Sequence, residues 1–296
     1  MGLDLTLLYR GPLVSCNYGC EYCPFAKRSQ TATELNQDRQ ALKRFVDWIL
    51  QRPAGDRIRV LFTPWGEALI HPWYQSEIAR LTHCPQVEKV AIQTNLSCAL
   101  GWVEACHKPK LGLWTTYHPV EVKRQHFLQQ CRRLIEGQIR FSVGIVGLKA
   151  HRAEAQALRQ ALPDSIYVWV NAYKRQADYY TSEDIAQFTA IDPLFGINNQ
   201  VYPSLGHPCR AGESVLSVDG EGNLRRCHFI PEQIGNLYQP DLEQALYARP
   251  CTNATCRCHI GYVHMPELGL DQMFGTGLLE RIPEASGRLF ASTTLN

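Results

Sequence analysis

Three cysteines near the start of the chain have a spacing that could do metal chemistry. Cys16, Cys20 and Cys23 form a CxxxCxxC array directly after an apolar segment, residues 3–9. A loop this short can bring three thiolates to three corners of a cubic iron–sulfur cluster, which proteins hold through cysteine. No fourth cysteine is nearby, so one iron would stay open to a ligand that the protein does not supply. The alternatives are a zinc knuckle lacking one ligand and a set of ordinary buried thiols.

A second group of cysteines lies in the last third of the chain, at Cys209, Cys227, Cys251, Cys256 and Cys258. Residues 215–218 and 223–226 have the pattern of a hairpin around a glycine-rich turn, Asp219-Gly-Glu-Gly222. Such a hairpin would bring Cys209 and Cys227 together as metal ligands. Two more ligands would come from the other three cysteines, and the sequence leaves open which one is spare. A structural zinc ribbon is an alternative for a four-cysteine site of this kind.

The remaining four cysteines have no ligand spacing: Cys84, Cys98, Cys106 and Cys131. They fall in or beside predicted helices, where cysteine behaves as a small buried hydrophobe. The N-terminal residues lack the basic region of a signal peptide. We therefore expect a cytoplasmic protein whose twelve cysteines are thiols and metal ligands rather than disulfides.

Composition limits the possible partners. The chain has 296 residues, of which 45% are hydrophobic, enough for one barrel-sized domain with a small appendage. Its net charge is +2 with acidic and basic residues interspersed, so we expect no nucleic-acid partner. No apolar run approaches the roughly eighteen residues that a membrane helix needs, so we expect no membrane partner either.

Strands and helices are predicted to alternate through the first two-thirds of the chain. The predicted strands are residues 3–9, 58–63, 87–94, 111–117, 139–146 and 166–170. The predicted helices are residues 33–51, 72–83, 100–108, 120–136 and 151–162. This alternation indicates an α/β fold with parallel strands and crossover helices. Periodicity alone does not distinguish an open doubly wound sheet from a barrel.

The cysteine loop, with Tyr22 directly before its last cysteine, resembles the signature of the radical S-adenosylmethionine (SAM) superfamily. The resemblance implies a partial (β/α)6 TIM-like barrel and a [4Fe–4S] cluster on Cys16, Cys20 and Cys23. It also implies SAM on the open iron and an electron donor such as flavodoxin or ferredoxin. Reductive cleavage of SAM would then give a 5′-deoxyadenosyl radical that abstracts hydrogen from a substrate.

The resemblance implies SAM contacts at the ends of the strands. The expected cofactor-binding residues are Tyr22, Gly66, Glu67, Thr94, Asn95, Gly144, Val146 and Asn171. Gly66 and Glu67 match the end of the superfamily's Gly-Gly-Glu segment, whereas Trp65 replaces its first glycine. Tyr117 and His118, at the end of the fourth strand, are candidate substrate contacts. The alternative for His118 is a purely structural role.

The second cysteine group resembles a twitch/SPASM type of C-terminal extension, which holds auxiliary [4Fe–4S] clusters. Five cysteines suggest one such cluster, with a core at residues 1–200 and a small cysteine-rich α+β extension at residues 201–296. The function implied is an oxidoreductase or modifying enzyme acting on a peptide or small molecule. The alternatives are a non-catalytic iron–sulfur or zinc protein for electron transfer or docking, and an RNA-modifying radical SAM enzyme.

Overall fold

Six parallel strands form the centre of the molecule. The computed structural model describes residues 2–25 and 28–284. The strands are β1 (Asp4–Arg10), β2 (Arg57–Phe62), β3 (Val87–Thr94), β4 (Leu111–Tyr117), β5 (Arg140–Gly147) and β6 (Val168–Ala172). The helices that follow them are α1 (Ala32–Leu50), α2 (Pro72–His83), α3 (Arg124–Glu136), α4 (Arg152–Ala161), α5 (Ser182–Ile191) and α6 (Phe195–Asn198).

The order of the strands identifies the barrel. Each of β1 to β5 pairs in parallel with the next strand along the chain. A doubly wound sheet reverses its order at a switch point, whereas a barrel proceeds in one direction with its helices outside. The predicted α/β partial barrel is therefore confirmed. The two edges of the described sheet are β6 and a strand of the C-terminal extension.

Both faces of the parallel sheet are buried, which explains why its strands are almost continuously apolar. On β1, Leu7 belongs to the larger core cluster shared with the helices, together with Phe45 of α1 and Ile78 of α2. Leu8 belongs to a second cluster inside the barrel, with Trp114 of β4 among its members. Alternate side chains of one strand thus serve two cores.

The C-terminal extension continues the same sheet. Its elements are β7 (Tyr202–Pro203), β8 (Val215–Asp219), β9 (Asn223–Arg225), β10 (Gln233–Asn236), β11 (Thr255–Cys256), α7 (His259–Tyr262) and α8 (Leu270–Phe274). β8 pairs in parallel with β1, and β8, β9 and β10 are antiparallel neighbours. In the turn, Asp219 accepts hydrogen bonds from the backbone N–H groups of Glu221 and Asn223, both at 3.0 Å, and Gly222 has a φ of 80°. The predicted hairpin is confirmed.

The segment after the last cysteine fills the barrel interior. Its buried apolar side chains are Ile260, Tyr262, Val263, Met265, Leu270, Phe274 and Leu279. Glu280, fully buried, accepts hydrogen bonds from Lys89 at 2.8 Å and Arg140 at 3.0 Å, near the N-terminal ends of β3 and β5. This segment therefore closes one end of the barrel; residues 285–296 lie outside the described residues.

Two predicted helices differ from the structure. Residues 100–108 contain a 3₁₀ turn, Gly101–Ala105, and the first residue of another, Lys108–Lys110, instead of an α-helix, because a glycine opens the segment and Pro109 follows it closely. The helix predicted from residue 120 begins at Arg124, since the N–H groups of Glu121 and Val122 close a turn onto the carbonyl of His118. Among the described helices, none combines the length and apolar character needed to cross a membrane.

Candidate functional site

The C-terminal ends of all six parallel strands surround one cavity of about 310 Å³. Sequence-predicted site residues from six successive loops or strand ends line it: Cys16, Cys20, Cys23, Gly66, Glu67, Thr94, Asn95, His118, Val146 and Asn171. This is the edge of a parallel barrel where ligands bind. The structure therefore brings together most of the residues that the sequence proposed separately.

The cysteine loop is held in place by hydrogen bonds to its backbone and sulfurs. Gln30 accepts from the N–H groups of Val14 at 2.7 Å and Ser15 at 3.1 Å, just before the first cysteine. The Sγ of Cys16 accepts the N–H of Tyr18, at 3.4 Å, and burial raises the pKa of the Cys16 thiol. Burial likewise raises the pKa of Cys20 to about 11. Metal coordination would stabilise these thiolates, so the donor set fits a cluster.

Gly66 lets the loop after β2 support the cysteine loop directly. A Cβ atom at Gly66 would lie 1.6 Å from the carbonyl oxygen of Ser15, the residue before Cys16. Only glycine permits so close a backbone approach. The glycine is thus required by the cysteine loop, whatever cofactor the site holds.

Glu67 joins the ends of β2 and β3. Its buried carboxylate accepts hydrogen bonds from the N–H of Leu69 at 2.9 Å, the hydroxyl of Thr94 at 2.9 Å and the N–H of Asn95 at 2.5 Å. Burial raises its pKa to about 7, against the lowering effect of these donors. Three donors therefore fix a carboxyl group at the cavity wall, and its expected contact with SAM stays a prediction.

Asn95 connects the end of β3 to the cysteine loop. Its side-chain amide donates to the Oδ1 of Asn17 at 3.0 Å and lies 3.9 Å from the Sγ of Cys16. Its own Oδ1 accepts the N–H of Ser97 at 3.0 Å. The residue is held from both sides beside the first cysteine.

His118 lies between the cysteine loop and the aromatic residue of its motif. Its Nδ1 is 3.5 Å from the Sγ of Cys20 and 2.9 Å from the hydroxyl of Tyr22. Burial lowers the pKa of His118 to about 4, so the imidazole is neutral at pH 7. Among the described residues, His118 lines the cavity and Tyr22 does not; Tyr22 packs on His118, with ring centroids 5.9 Å apart and planes at 14°.

The side chain of Tyr117 points away from the cavity that His118 lines. Alternation along β4 directs its side chain to the helix layer, where its hydroxyl donates to Glu154 at 3.2 Å and its ring packs on Phe127. The structure thus places the Tyr117 side chain away from the cavity, whereas the sequence predicted it, with His118, to be a substrate contact.

Gly144 accommodates an indole ring. A Cβ atom there would lie 2.0 Å from the ring of Trp169, whose Nε1 donates to Ser142 at 3.0 Å. Trp169 lines the cavity with Trp114, and the two rings meet edge to face at 5.6 Å. Among the described residues, Gly144 is not part of the lining, so the structure places an indole against the glycine that was expected to contact SAM. Sequence reasoning missed both tryptophans, although alternation puts them on the same strand faces as Thr116 and Asn171.

Aromatic side chains lie against a half-buried arginine at one side of the cavity. Phe25 and Trp65 stack with ring centroids 5.7 Å apart, and the guanidinium of Arg10 lies 5.6 Å from the Trp65 ring centroid. Phe25, Trp65 and Phe229 are 41%, 42% and 44% exposed, respectively. Trp65 thus joins an exposed aromatic group beside the cavity, which sequence reasoning did not foresee.

The five C-terminal cysteines line a second cavity, of about 470 Å³. Arg226, beside Cys227, donates to the carbonyls of Pro250 and Arg249, which fixes the Cys251 segment against the hairpin. Cys258 and Phe229 line both cavities. Across residues 2–25 and 28–284, no three His, Cys, Asp or Glu side chains converge closely enough to hold a single metal ion. The other cysteines that were assigned no function, Cys84, Cys98, Cys106 and Cys131, are buried as expected.

Comparisons with known proteins support the fold. A scan of protein-family models finds no match, and a search of curated proteins finds none either. The solved structure of anSMEcpe with bound AdoMet and the Cp18Cys peptide is 12% identical, with a TM-score of 0.52 over 82% of each chain. A structure of anSMEcpe with bound AdoMet has 13% identity and a TM-score of 0.54, over 82% of this chain and 83% of its own. At this identity, the likeness shows a shared α/β barrel fold.

Proposed function

We propose that this protein is a radical SAM enzyme that acts on a peptide or small molecule. The observation that carries the proposal is the single cavity lined by Cys16, Cys20 and Cys23 together with polar residues from the other strand ends. Cys16, Cys20 and Cys23 would hold the cluster, which together with SAM would supply a 5′-deoxyadenosyl radical for hydrogen abstraction. The similar barrel of anSMEcpe, solved with AdoMet bound, supports the same use of this fold.

The chain's own residues would orient SAM in the cavity at the ends of the six parallel strands, which we call the chamber. Glu67 offers a fixed carboxyl group for the ammonium of SAM, and Asn95 offers an amide beside Cys16 for its ribose. Val146 and Asn171 offer further contacts on the wall formed by β5 and β6. Trp114 and Trp169 contribute apolar surface, which helps to exclude water from a reactive site.

We propose that the second cysteine group holds one auxiliary [4Fe–4S] cluster, as in twitch/SPASM extensions. All five thiols face one cavity, and the hairpin and the Cys251 segment are fixed to each other by Arg226. A tetrahedral zinc site would instead draw four sulfurs to about 2.3 Å from one ion. The core of residues 1–200 and the extension of residues 201–296 would then each contribute one metal centre.

The substrate would approach past the exposed aromatic group formed by Phe25, Trp65 and Phe229. These side chains offer apolar surface beside the cationic Arg10, a combination suited to a peptide or a small molecule with an anionic group. The peptide bound in one anSMEcpe structure supports a peptide substrate class. Reduction by a flavodoxin or ferredoxin requires a reducing compartment, so we propose a cytoplasmic location.

Two measurements on anaerobically reconstituted protein test this function. Wild-type protein with two cubic clusters should bind about eight irons per chain. After reduction, it should convert SAM to 5′-deoxyadenosine without any added substrate, as detected by mass spectrometry. Cys20→Ala should abolish the product and lower the iron content by about half.

A matched control is Cys131→Ala, which removes a fully buried thiol of α3 far from either cysteine group in sequence. It should retain both clusters and SAM cleavage. About four irons with one zinc would contradict the auxiliary iron–sulfur cluster alone. A fully loaded and reduced wild-type protein that cleaves no SAM would refute the enzyme function.

A further inference from the structure

The fifth cysteine of the C-terminal group has a position that the other four do not share. Cys258 is the one cysteine of this group that lines the barrel chamber as well as the second cavity, among the described residues. We propose that Cys258 is a catalytic thiol of the chamber, which donates a hydrogen atom to the substrate radical, and that the auxiliary cluster is held by the other four. This inference rests on the radical SAM function proposed above.

The grouping of the sulfurs supports four ligands and one spare thiol. Cys209 and Cys227 both lie within electrostatic range of Cys251. Cys256 interacts most with Cys258, two residues further on, and also with Cys227, Cys209 and Cys251. A cubic cluster has four corners for cysteine. Cys209, Cys227, Cys251 and Cys256 therefore suffice for it, and the cysteine left over is the one that also lines the chamber.

The surroundings of Cys258 belong to the chamber. Its sulfur lies near the cations Lys174, Arg10 and Arg281, as well as near Cys256. In turn, Cys258 is the charged group that interacts electrostatically with Arg10, and Arg10 is itself part of the chamber wall. The sulfur thus lies between the two cavities, facing Arg10 on the chamber side.

A second observation points to a ligand at this place. His259, the next residue, lines the chamber and is 6% exposed, and its Nε2 has no hydrogen-bond partner in the described part of the chain. Its ring is packed edge to face against Trp114 and Phe274, at 5.4 Å and 5.3 Å. A buried nitrogen without a partner destabilises the fold unless a bound molecule supplies one. A polar group of the substrate at His259 would hold the reacting carbon beside Cys258.

The proposed step balances in atoms and electrons. The S–H bond of Cys258 breaks and a C–H bond forms on the substrate radical, which leaves a thiyl radical at Cys258. One electron from the reduced auxiliary cluster and one proton from solvent restore the thiol. The substrate loses one hydrogen atom and gains another, so its oxidation level is unchanged. Each turnover then consumes two electrons, one for SAM cleavage and one for the thiyl radical.

Iron content tests the ligand assignment without any need for activity. Cys258→Ala and Cys258→Ser should each retain the full iron content and the electron paramagnetic resonance signals of both reduced clusters. Cys256→Ala, the matched variant two residues away, should lose the signal and the iron of the auxiliary cluster. Loss of that cluster from both Cys258 variants would overturn the assignment.

Solvent deuterium tests the chemistry. Without substrate, the 5′-deoxyadenosyl radical is the probe that stands in for the substrate radical in the chamber. In D₂O the thiol becomes S–D, so SAM cleavage should then give 5′-deoxyadenosine with one deuterium taken from Cys258. The reaction uses titanium(III) citrate as reductant and no added thiol, because an added thiol would itself supply deuterium. In Cys258→Ala and Cys258→Ser the deuterium should be lost from the product. Unlabelled product from the wild type, or the same label in all three proteins, would overturn the donor role alone. Failure of the loaded wild type to cleave SAM would overturn this inference together with the enzyme function.

Discussion

Replacing Gly66 by alanine should displace the cysteine loop and remove the first cluster. The new Cβ atom would lie 1.6 Å from the carbonyl oxygen of Ser15 and 2.4 Å from its carbonyl carbon. Since close C···O contacts are about 3.3 Å, that oxygen would have to move by about 1.7 Å. The obstacle is backbone rather than a flexible side chain, so the movement would pass directly to Cys16. Overpacking of this kind costs about 1–3 kcal/mol.

The assay is iron content after anaerobic reconstitution, followed by SAM cleavage. Gly66→Ala should bind about four irons instead of about eight, with the auxiliary cluster retained, and should form no 5′-deoxyadenosine. Gly101→Ala is the matched control, because a Cβ atom there meets nothing within 4 Å. Full iron content and normal SAM cleavage in Gly66→Ala would refute the view that the loop after β2 supports the cysteine loop.

Two further predictions concern the barrel wall and its closed end. Gly144→Ala should push the Trp169 ring from its site, lowering stability by about 1–3 kcal/mol and SAM cleavage as well, while both clusters stay bound. The tests are thermal unfolding and formation of 5′-deoxyadenosine, with Gly196→Ala as the control. An unchanged midpoint of thermal unfolding in Gly144→Ala would contradict the prediction. Glu280→Gln should cost about 3–5 kcal/mol in urea unfolding, because it leaves the buried Lys89 without an anion. Glu104→Gln, which breaks the surface ion pair with Lys108, should cost about 0–1 kcal/mol. Equal losses of stability in the two variants would disprove the stabilising role of the buried Glu280–Lys89 pair.

The sequence predicted the barrel strands well because their signal is local. Six apolar runs of strand length occur at the positions of β1 to β6, within a few residues at each end. Their burial on both faces removes the usual alternation and leaves continuous apolar segments. The choice of a barrel over a doubly wound sheet depended on the resemblance of the cysteine loop, since strand order is a property of pairings between distant residues.

The candidate site was predictable where chemistry depends on residue type and position after a strand. Glu67 and Asn95 were chosen for those reasons, and both line the cavity. Tyr117 and Gly144 were chosen in the same way, yet one faces the helix layer and the other accommodates Trp169. Which face a strand-end residue occupies depends on alternation within its strand, and a shift of one residue reverses it.

The spare cysteine could not be identified from spacing, because five thiols near a hairpin allow several sets of four. The tertiary structure distinguishes Cys258, because the segment after β11 turns into the barrel, where Ile260 and Tyr262 join the inner core. That turn brings Cys258 to the wall of the chamber while it still lines the second cavity. The same packing that closes the barrel therefore connects the two cysteine groups. A thiol at that junction can serve the substrate on one side while the cluster on the other side returns its electron.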